Sequence, residues 1–361
     1  MRRLIISNTH YQTIVAIQLK MTRFRKDEVV LLISDHSRGA DQVAERLRGT
    51  GIFQEVYYII SRKTVYEYGR SEQWEDFFAL SFLKNNRYAF YLNEIGELFF
   101  DELLVFNYGP DIYAVYGFLQ EYNRDLVVSM FEEGILSYAI EEKVQKKILF
   151  SQRIRQMKGK KRIDEAQGVY YCFYPSLYHG KYKAESIPPI SGDSPAVGII
   201  REAFGVTDSD AQYRGRKYLF FTGVYDFEGG DPIGEFELVK RVADLVGKEN
   251  LLIKAHPRDT RTVFQDYGLE VDRNSAVPWE AVQLSSDFFG HVFLTVASGS
   301  VLGGNLMSRH PCDTWFLFDL CRMENNIGGK VADSIRALLN NREMKNILGN
   351  IRIARDLRDI L

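Results

Sequence analysis

The stretch that decides the fold is residues 251–259, Leu251-Leu252-Ile253-Lys254-Ala255-His256-Pro257-Arg258-Asp259. A short apolar run ends here in a histidine, a proline that sets a turn, and charged residues. Apolar runs of this length, bounded by turn residues, are typical of strands that are buried on both faces. In a parallel sheet, the residues just after the carboxyl ends of such strands line the ligand site.

Similar runs recur along the whole chain and alternate with segments whose apolar residues are spaced as in helices. This alternation implies right-handed crossovers and therefore parallel sheets. The predicted strands are 4–6, 29–33, 56–60, 103–106, 126–130, 217–222, 251–255, 291–297 and 314–318. The predicted helices are 13–21, 41–47, 234–246, 279–284, 301–307 and 331–339, followed by one more amphipathic helix in the last twenty residues.

A proline-rich stretch interrupts the alternation near the middle of the chain. Residues 187–195 contain three prolines, which cannot lie inside a helix, and we interpret the stretch as a linker. At 361 residues the chain is also about twice the length of a typical single domain. The sequence therefore predicts an α/β protein with two Rossmann-like, doubly wound domains, 1–190 and 191–361, which face each other across a ligand-binding cleft.

The composition argues against several classes of protein. The formal charge of −2, from 46 basic and 48 acidic residues, argues against a nucleic-acid binder held by overall charge. No apolar run reaches the roughly 18 residues that span a bilayer, and the amino terminus becomes polar too soon for a signal peptide. The 3 cysteines lack the spacing of a disulfide scaffold or a zinc site, which favours a reducing cytoplasm.

The first candidate site follows the predicted strand at 251–255. Its members are Lys254, His256, Pro257 and Arg258. Cationic side chains and a histidine within five residues make a local site for an anionic group. The alternative is a histidine that only hydrogen-bonds at the end of a strand while the proline starts a helix. The neighbouring arginine favours the functional interpretation.

The second candidate site follows the predicted strand at 291–297, where Ser298, Gly299 and Ser300 open a helix. Free backbone N–H groups, the helix dipole and two hydroxyls suit a phosphate there, whereas plain N-capping needs only one serine. In the same half, Glu280 lies in the first turn of another helix. Its carboxylate either binds paired ribose hydroxyls or only complements the helix dipole.

The third candidate site, Glu132-Glu133-Gly134, follows the predicted strand at 126–130. Adjacent carboxylates repel each other, which raises one pKa and yields a usable general base. The alternative is an acidic start to a helix near Ser137, and the residues alone leave both interpretations open.

Several well-known motifs are absent, namely GxGxxG, GxxxxGK[ST], HExxH and GxSxG. Asp208-Ser209-Asp210 matches the DxD pattern of metal-dependent sugar transferases. It follows a turn rather than a buried strand, and we therefore interpret it as loop capping.

The ordered set of motifs resembles that of bacterial sialyltransferases. Glu132-Glu133-Gly134 matches their acidic motif, His256-Pro257 their HP motif, and Ser298-Gly299-Ser300 their serine motif. Residues 254–259 and the opening Ser7-Asn8-Thr9-His10-Tyr11-Gln12 look most like glycosyltransferase family 52, the lipooligosaccharide sialyltransferases.

The resemblance implies a GT-B architecture with CMP-N-acetylneuraminic acid as donor. It implies inverting transfer, with no required cofactor or metal, to a terminal galactose of a lipooligosaccharide or capsular glycan through an α-2,3 linkage. The alternatives are a glucosyl-type transferase or a polysialyltransferase on the same scaffold, or a noncatalytic protein that binds a nucleotide or glycan.

Roles for the matched residues follow from the same resemblance. His256 would contact the donor phosphate and assist the departure of CMP, while Glu132 or Glu133 would supply the base. In at least one member the base comes from a segment shortly before HP, so Asp226, Glu228 and Asp231 compete for this role. The donor-binding residues would be Lys254, Pro257, Arg258, Glu280, Ser298, Gly299 and Ser300.

Two features bear on the acceptor. His10 stands where the family usually has proline, which implies a different acceptor-side loop. A run at 143–162 contains nine Lys or Arg residues and precedes an aromatic stretch. We interpret this run as a peripheral contact with anionic lipid at the inner face of the cytoplasmic membrane, or with the phosphorylated core of a glycolipid acceptor. A subunit interface, as in a homodimer, is the alternative.

Overall fold

The computed structural model of the protein describes residues 1–60, 92, 95–138, 153–154, 156–157, 159–207, 213, 215–225, 230–274, 277–323 and 327–361. These residues form two compact units, Met1–Pro188 and Pro189–Leu361, and the division falls within the proline-rich stretch. Asp226, Glu228, the 208–210 segment and most of the basic run lie outside the described residues.

The first unit is built on a parallel sheet of seven strands in the order β3-β2-β1-β4-β5-β6-β7. The strands are β1 (Arg2–Ser7), β2 (Glu28–Ser34), β3 (Glu55–Ile59), β4 (Glu102–Val105), β5 (Val127–Phe131), β6 (Gln167–Cys172) and β7 (Lys183–Ser186). The described α-helices of this unit are α1 (His10–Met21), α2 (Ala40–Thr50) and α3 (Pro110–Leu119).

The second unit is built on a parallel sheet of six strands in the order β10-β9-β8-β11-β12-β13. The strands are β8 (Tyr218–Phe221), β9 (Leu251–Lys254), β10 (Glu270–Asp272), β11 (Val292–Thr295), β12 (Asp313–Phe316) and β13 (Ile351–Ile353). The described α-helices are α4 (Pro195–Phe204), α5 (Glu235–Val246), α6 (Val263–Asp266), α7 (Trp279–Ser285), α8 (Ser300–Met307), α9 (Ile327–Asn340) and α10 (Arg342–Ile347).

The strand orders explain where a ligand site should form. Central strands such as β8 and β11 are buried along their whole length, as expected when helices cover both faces of a sheet. The order reverses between β1 and β4 in the first sheet and between β8 and β11 in the second. Ligands of doubly wound sheets bind at the carboxyl ends beside such a reversal. The predicted fold class, an α/β protein with two Rossmann-like, doubly wound units, is thereby confirmed.

The end of the chain differs from the prediction. The last twenty residues do not form one amphipathic helix; α10 ends at Ile347, and residues 351–353 form β13 instead. Ile351 is buried, Arg352 is exposed, and the segment pairs in parallel with β12. A three-residue apolar-polar-apolar alternation suits an edge strand, and pairing with β12 satisfies its backbone groups.

The membrane-contact interpretation gains no support from the part of the basic run that is described. Lys160 forms a salt bridge with Glu121 at 2.8 Å, and Lys161 forms one with Asp125 at 2.5 Å. Both ammonium groups are therefore neutralised by acidic neighbours of the same unit. Among the helices that the structure describes, none has the length and apolar character needed to cross a bilayer.

Candidate functional site

A histidine follows β9 on a tight turn in the second unit. The Asp259 N–H donates to the His256 carbonyl at 2.8 Å, so Pro257 occupies the second position of the turn, which its restricted φ favours. The Arg258 N–H donates to His256 Nδ1 at 3.1 Å. A neutral ring with Nδ1 accepting carries its proton on Nε2. Nε2 forms no hydrogen bond with any residue that the structure describes.

Burial of the His256 ring, together with the nearby Arg258 charge, lowers the pKa of this histidine. At neutral pH the imidazole is therefore uncharged, and its Nε2–H is a hydrogen-bond donor. The ring is only partly buried, so a ligand can reach this donor.

A buried polar network holds the histidine turn in place. Thr222, which follows β8, accepts the His256 N–H at 3.0 Å and donates to Asp259 Oδ2 at 2.8 Å. Arg261 donates to Asp259 at 2.7 Å and to the buried Glu235 at 2.6 Å. Burial alone would raise the pKa of Asp259, but the Arg261 and Thr222 hydrogen bonds outweigh it and lower that pKa. Sequence patterns gave no indication of this network.

The two serines after β11 do not act as ordinary helix caps. No side chain caps the start of α8; the hydroxyls of Ser298 and Ser300 instead bond to each other at 2.8 Å. The Ser298 N–H donates to Thr295 at 2.9 Å, and Gly299 is exposed at the start of the helix. The plain N-capping alternative is therefore wrong. Two hydroxyls and uncapped N–H groups converge at this helix terminus, as an anion site requires.

The histidine and serine segments belong to one edge of the second sheet. His256 follows β9 and Ser298 follows β11, and both strands pair in parallel with β8. Glu280 of α7 packs against α8, because a Cβ added at Gly303 would lie 2.6 Å from Glu280 Oε1. Gly303 is one turn from Ser300 on the same helix face. Burial raises the pKa of Glu280.

Three other predicted residues have different environments. Lys254 forms a salt bridge with Asp272 at 2.6 Å, which commits its ammonium to the neighbouring strand β10. Arg258 is exposed and forms no salt bridge with any residue that the structure describes. Asp231 accepts the backbone N–H groups of Glu235 and Phe236, each at 2.8 Å, and thus caps α5. These bonds make Asp231 a structural carboxylate and a poor candidate for the base.

The acidic pair after β5 divides into a buried and an exposed carboxylate. Glu132 is fully buried and accepts hydrogen bonds from Tyr11, from Tyr138 and, at 2.8 Å, from the Phe173 N–H. Burial raises its pKa to about 7, although these three donors favour the ionised form. Because protein donors engage both carboxylate oxygens, Glu132 has little capacity to accept a substrate proton.

Glu133 is exposed, and its Oε2 accepts a hydrogen bond from Gln12 Nε2 at 3.1 Å. The next residue, Gly134, has φ of +125°, a conformation that favours glycine and turns the chain away from the strand. Gln12 and Tyr11 lie in the first turn of α1, so the opening segment and the acidic pair form one cluster at the carboxyl edge of the first sheet. The sequence indicated both segments but not their contact.

The buried carboxylate predicts a specific dependence of stability on pH. Because the folded-state pKa of Glu132, about 7, exceeds its ordinary 4.5, its contribution to stability is present below pH 4.5 and is lost as the pH rises to about 7. The free energy of unfolding of the wild type, taken relative to that of Glu132→Gln, which cannot ionise, should fall by on the order of 3 kcal/mol across this window. Denaturant unfolding at pH 5 and pH 7.5 measures the difference.

The exposed Glu45 provides a control for this prediction, because its side chain is 76% exposed. Glu45→Gln should follow the wild-type dependence on pH. If the unfolding free energies of Glu132→Gln and the wild type stayed parallel between the two pH values, Glu132 would already be ionised in the folded protein.

The second unit also contains a cavity of about 700 Å³ at the amino ends of β11 and β12, lined by residues that include His291, His310 and Asp313. The predicted site residues do not line this cavity, which lies at the opposite end of the strands. Within the described ranges, no three His, Cys, Asp or Glu side chains come together as a metal site would require.

The chain was compared with curated proteins and with solved structures. No curated protein matches it. Among solved structures, an α/β-galactoside α-2,3-sialyltransferase from Photobacterium phosphoreum is 13% identical, with a TM-score of 0.49 and coverage of 100% of this chain and 99% of that one. A UDP-GlcNAc 2-epimerase from Neisseria meningitidis is 14% identical, with a TM-score of 0.47 and coverage of 97% and 95%. The calicheamicin glycosyltransferase CalG4 is 13% identical, with a TM-score of 0.48 and coverage of 98% and 85%.

The family model that matches is that of the alpha-2,8-polysialyltransferases (POLYST), and the match extends over residues 3–286, more than three quarters of the chain. The polysialyltransferases were one of the alternatives that the motifs left open, whereas the finer resemblance to family 52 stays a prediction. The match covers both the acidic pair and the His256 turn. Because polysialyltransferases transfer a sugar, membership of this family makes the chain a glycosyltransferase. The chain belongs to the alpha-2,8-polysialyltransferase family.

Proposed function

We propose that the protein transfers sialic acid from CMP-N-acetylneuraminic acid to a glycan, with inversion and without a required metal. One observation carries this proposal: the Nε2–H of His256 and the hydroxyls of Ser298 and Ser300 lie after β9 and β11, the two strands that flank β8. This edge is where doubly wound sheets bind nucleotides. Its donors are neutral hydroxyl, imidazole and backbone N–H groups, which suit a single phosphate.

In the proposed reaction the acceptor hydroxyl oxygen attacks the anomeric carbon of the sialyl group. The bond from that carbon to the phosphate oxygen of CMP breaks, and CMP leaves with the electron pair. His256 donates a hydrogen bond from Nε2–H to the phosphate and stabilises the charge that develops there, while Ser298 and Ser300 help to hold the phosphate. The sugar passes through an oxocarbenium-like state, as in glycoside hydrolysis.

We assign the base to Glu133. Its exposed carboxylate can take the proton of the acceptor hydroxyl. Glu132 instead supports the site, because Tyr11, Tyr138 and the Phe173 N–H occupy its oxygens. Asp226 and Glu228 remain competing predictions outside the described residues.

The family match favours a sialylated acceptor. Members named for alpha-2,8-polysialyl transfer extend a chain of sialic acids, and we propose the same acceptor class here. A terminal galactose, acquiring an α-2,3 linkage, is the second candidate, which the motif resemblance supports. The three cysteines are unpaired, as in a reducing compartment, and we propose a cytoplasmic location.

The assay that tests this function supplies CMP-sialic acid in EDTA with either lactose or a short α-2,8-linked sialic acid oligomer. We expect release of CMP and elongation of the oligomer in preference to lactose. Elongation of lactose alone would support the second acceptor. Absence of transfer to both, with no hydrolysis of the donor, would contradict the enzyme assignment.

A nucleotide comparison tests the donor separately. CMP should bind only the folded protein and should therefore raise its melting temperature. UDP at the same concentration should raise the melting temperature less. At 100 times its Kd, CMP would stabilise by about 2.7 kcal/mol. A site specific for a CMP-sugar would be excluded if UDP stabilised the protein as much as CMP does, or if only UDP stabilised it.

A further inference from the structure

We propose that Gln12 is a positioning residue for Glu133: its amide holds the carboxylate in place and favours the ionised, proton-accepting form. This inference rests on the proposed function, because it concerns the base of that reaction. It adds a residue of the opening segment to the machinery and gives that segment a function.

The orientation of the Gln12 amide follows from its surroundings. Gln12 is fully buried, and its Oε1 accepts the backbone N–H of Asn8 at 2.6 Å and of Thr9 at 3.1 Å. An amide whose oxygen is held by two N–H donors can present only its NH₂ group elsewhere. That group donates to Glu133 Oε2 at 3.1 Å. The direction of the bond is therefore set by the backbone of the β1–α1 turn.

The contact with Glu133 is not needed to form α1. Thr9 and Gln12 make a capping box, in which the side chain at position 12 must only accept an N–H from the backbone. Glutamate performs this task as well as glutamine does. What glutamine adds is a donor, and the described partner of that donor is Glu133, which lies 121 residues away in the chain.

An uncharged N–H donor stabilises a carboxylate and lowers its pKa, whereas a second carboxylate at the same place would raise it. Other titratable groups on the surrounding elements are His10 and Tyr11 on α1, His36 after β2, Glu132 and Tyr138 after β5, and Tyr170, Cys172 and Tyr174 on and after β6. A substitution at position 12 leaves all of these in place, so a comparison of variants isolates the effect of the amide.

Gln12→Glu is the decisive variant, because it keeps the capping acceptor and replaces the donor with a like charge. We expect the acid limb of its pH profile of kcat/KM to move up by about 1 pH unit. At pH values below the acid limb of the wild type, transfer should be about tenfold slower, and it should recover toward the wild-type rate as the pH rises to 8. Steady-state transfer from CMP-sialic acid, measured from pH 4.5 to 8.5, gives the profile.

Thr9→Ala is the control for structural damage, since it removes the other half of the capping box. It should lower the melting temperature but leave the acid limb at the wild-type pH. If Gln12→Glu proves unfolded by circular dichroism, Gln12→Met serves in its place. Gln12→Met removes the donor without adding charge and should shift the limb in the same direction by a smaller amount.

The outcomes separate the two proposals. If Glu133→Gln abolishes transfer while the profile of folded Gln12→Glu superimposes on the wild type, the positioning role is wrong and the proposed function stands. If the wild type does not use CMP-sialic acid, or Glu133→Gln is fully active, the proposed function or its base fails, and the role of Gln12 fails with it.

Discussion

Replacing His256 with alanine should lower kcat for sialyl transfer by about 10²-fold or more. The variant loses the Nε2–H that we assign to the leaving phosphate. It keeps the two backbone bonds of the turn, from the His256 N–H to Thr222 and from the Asp259 N–H to the His256 carbonyl. The fold should therefore survive. Steady-state transfer, together with circular dichroism and a thermal melt, measures both properties.

His310→Ala is the matched control for this prediction. His310 is an exposed histidine of the same unit, and it follows α8 at the end opposite to the serines. Its removal should change kcat less than twofold. Full transfer activity in a folded His256→Ala protein would refute the assignment of His256 to the leaving group.

Replacing Glu133 with glutamine should lower kcat by about 10²–10⁴-fold, the usual range for loss of a general base. Glutamine preserves the size of the side chain but cannot accept the proton of the acceptor hydroxyl. Because the side chain is exposed, the melting temperature should change little. Transfer at saturating donor and acceptor, measured beside a thermal melt, shows whether chemistry or folding is affected.

Glu132→Gln provides the contrast within the same acidic pair. It should alter stability and its dependence on pH, while kcat falls less than tenfold, because Glu132 acts through buried bonds to Tyr11 and Tyr138. The reverse pattern, with Glu132→Gln inactive and Glu133→Gln active, would transfer the role of base to the buried residue. Near-wild-type activity in both variants would assign the role of base to Asp226 or Glu228 instead.

The central strands could be predicted from the sequence because their burial shows in local composition. Runs of apolar residues make up strands β1, β2, β8, β9 and β11. Each of these strands begins within two residues of its predicted start. Strands β7 and β10 could not be predicted in this way. Residues 183–186 have no buried member, and β10 has only three residues. Such edge strands form because a neighbouring strand offers unpaired backbone groups, which local sequence does not report.

The candidate site was predictable where it depends on position along a strand. His256, Ser298 and Glu133 all lie directly after strands whose ends could be recognised from apolar runs. The supporting contacts join distant parts of the chain: Thr222 and Asp259 are 37 residues apart, and Gln12 and Glu133 are 121 residues apart. No local pattern encodes such pairs. Lys254 shows the converse error, because its charge indicated a ligand whereas its partner is Asp272.

A crystal structure of the protein with CMP tests the central claim most directly, namely that a nucleotide phosphate binds at the carboxyl edge of the second sheet. We expect phosphate oxygens about 3 Å from His256 Nε2 and from a hydroxyl of Ser298 or Ser300. A phosphate bound without contact to His256, for example in the cavity at the amino ends of β11 and β12, would contradict it.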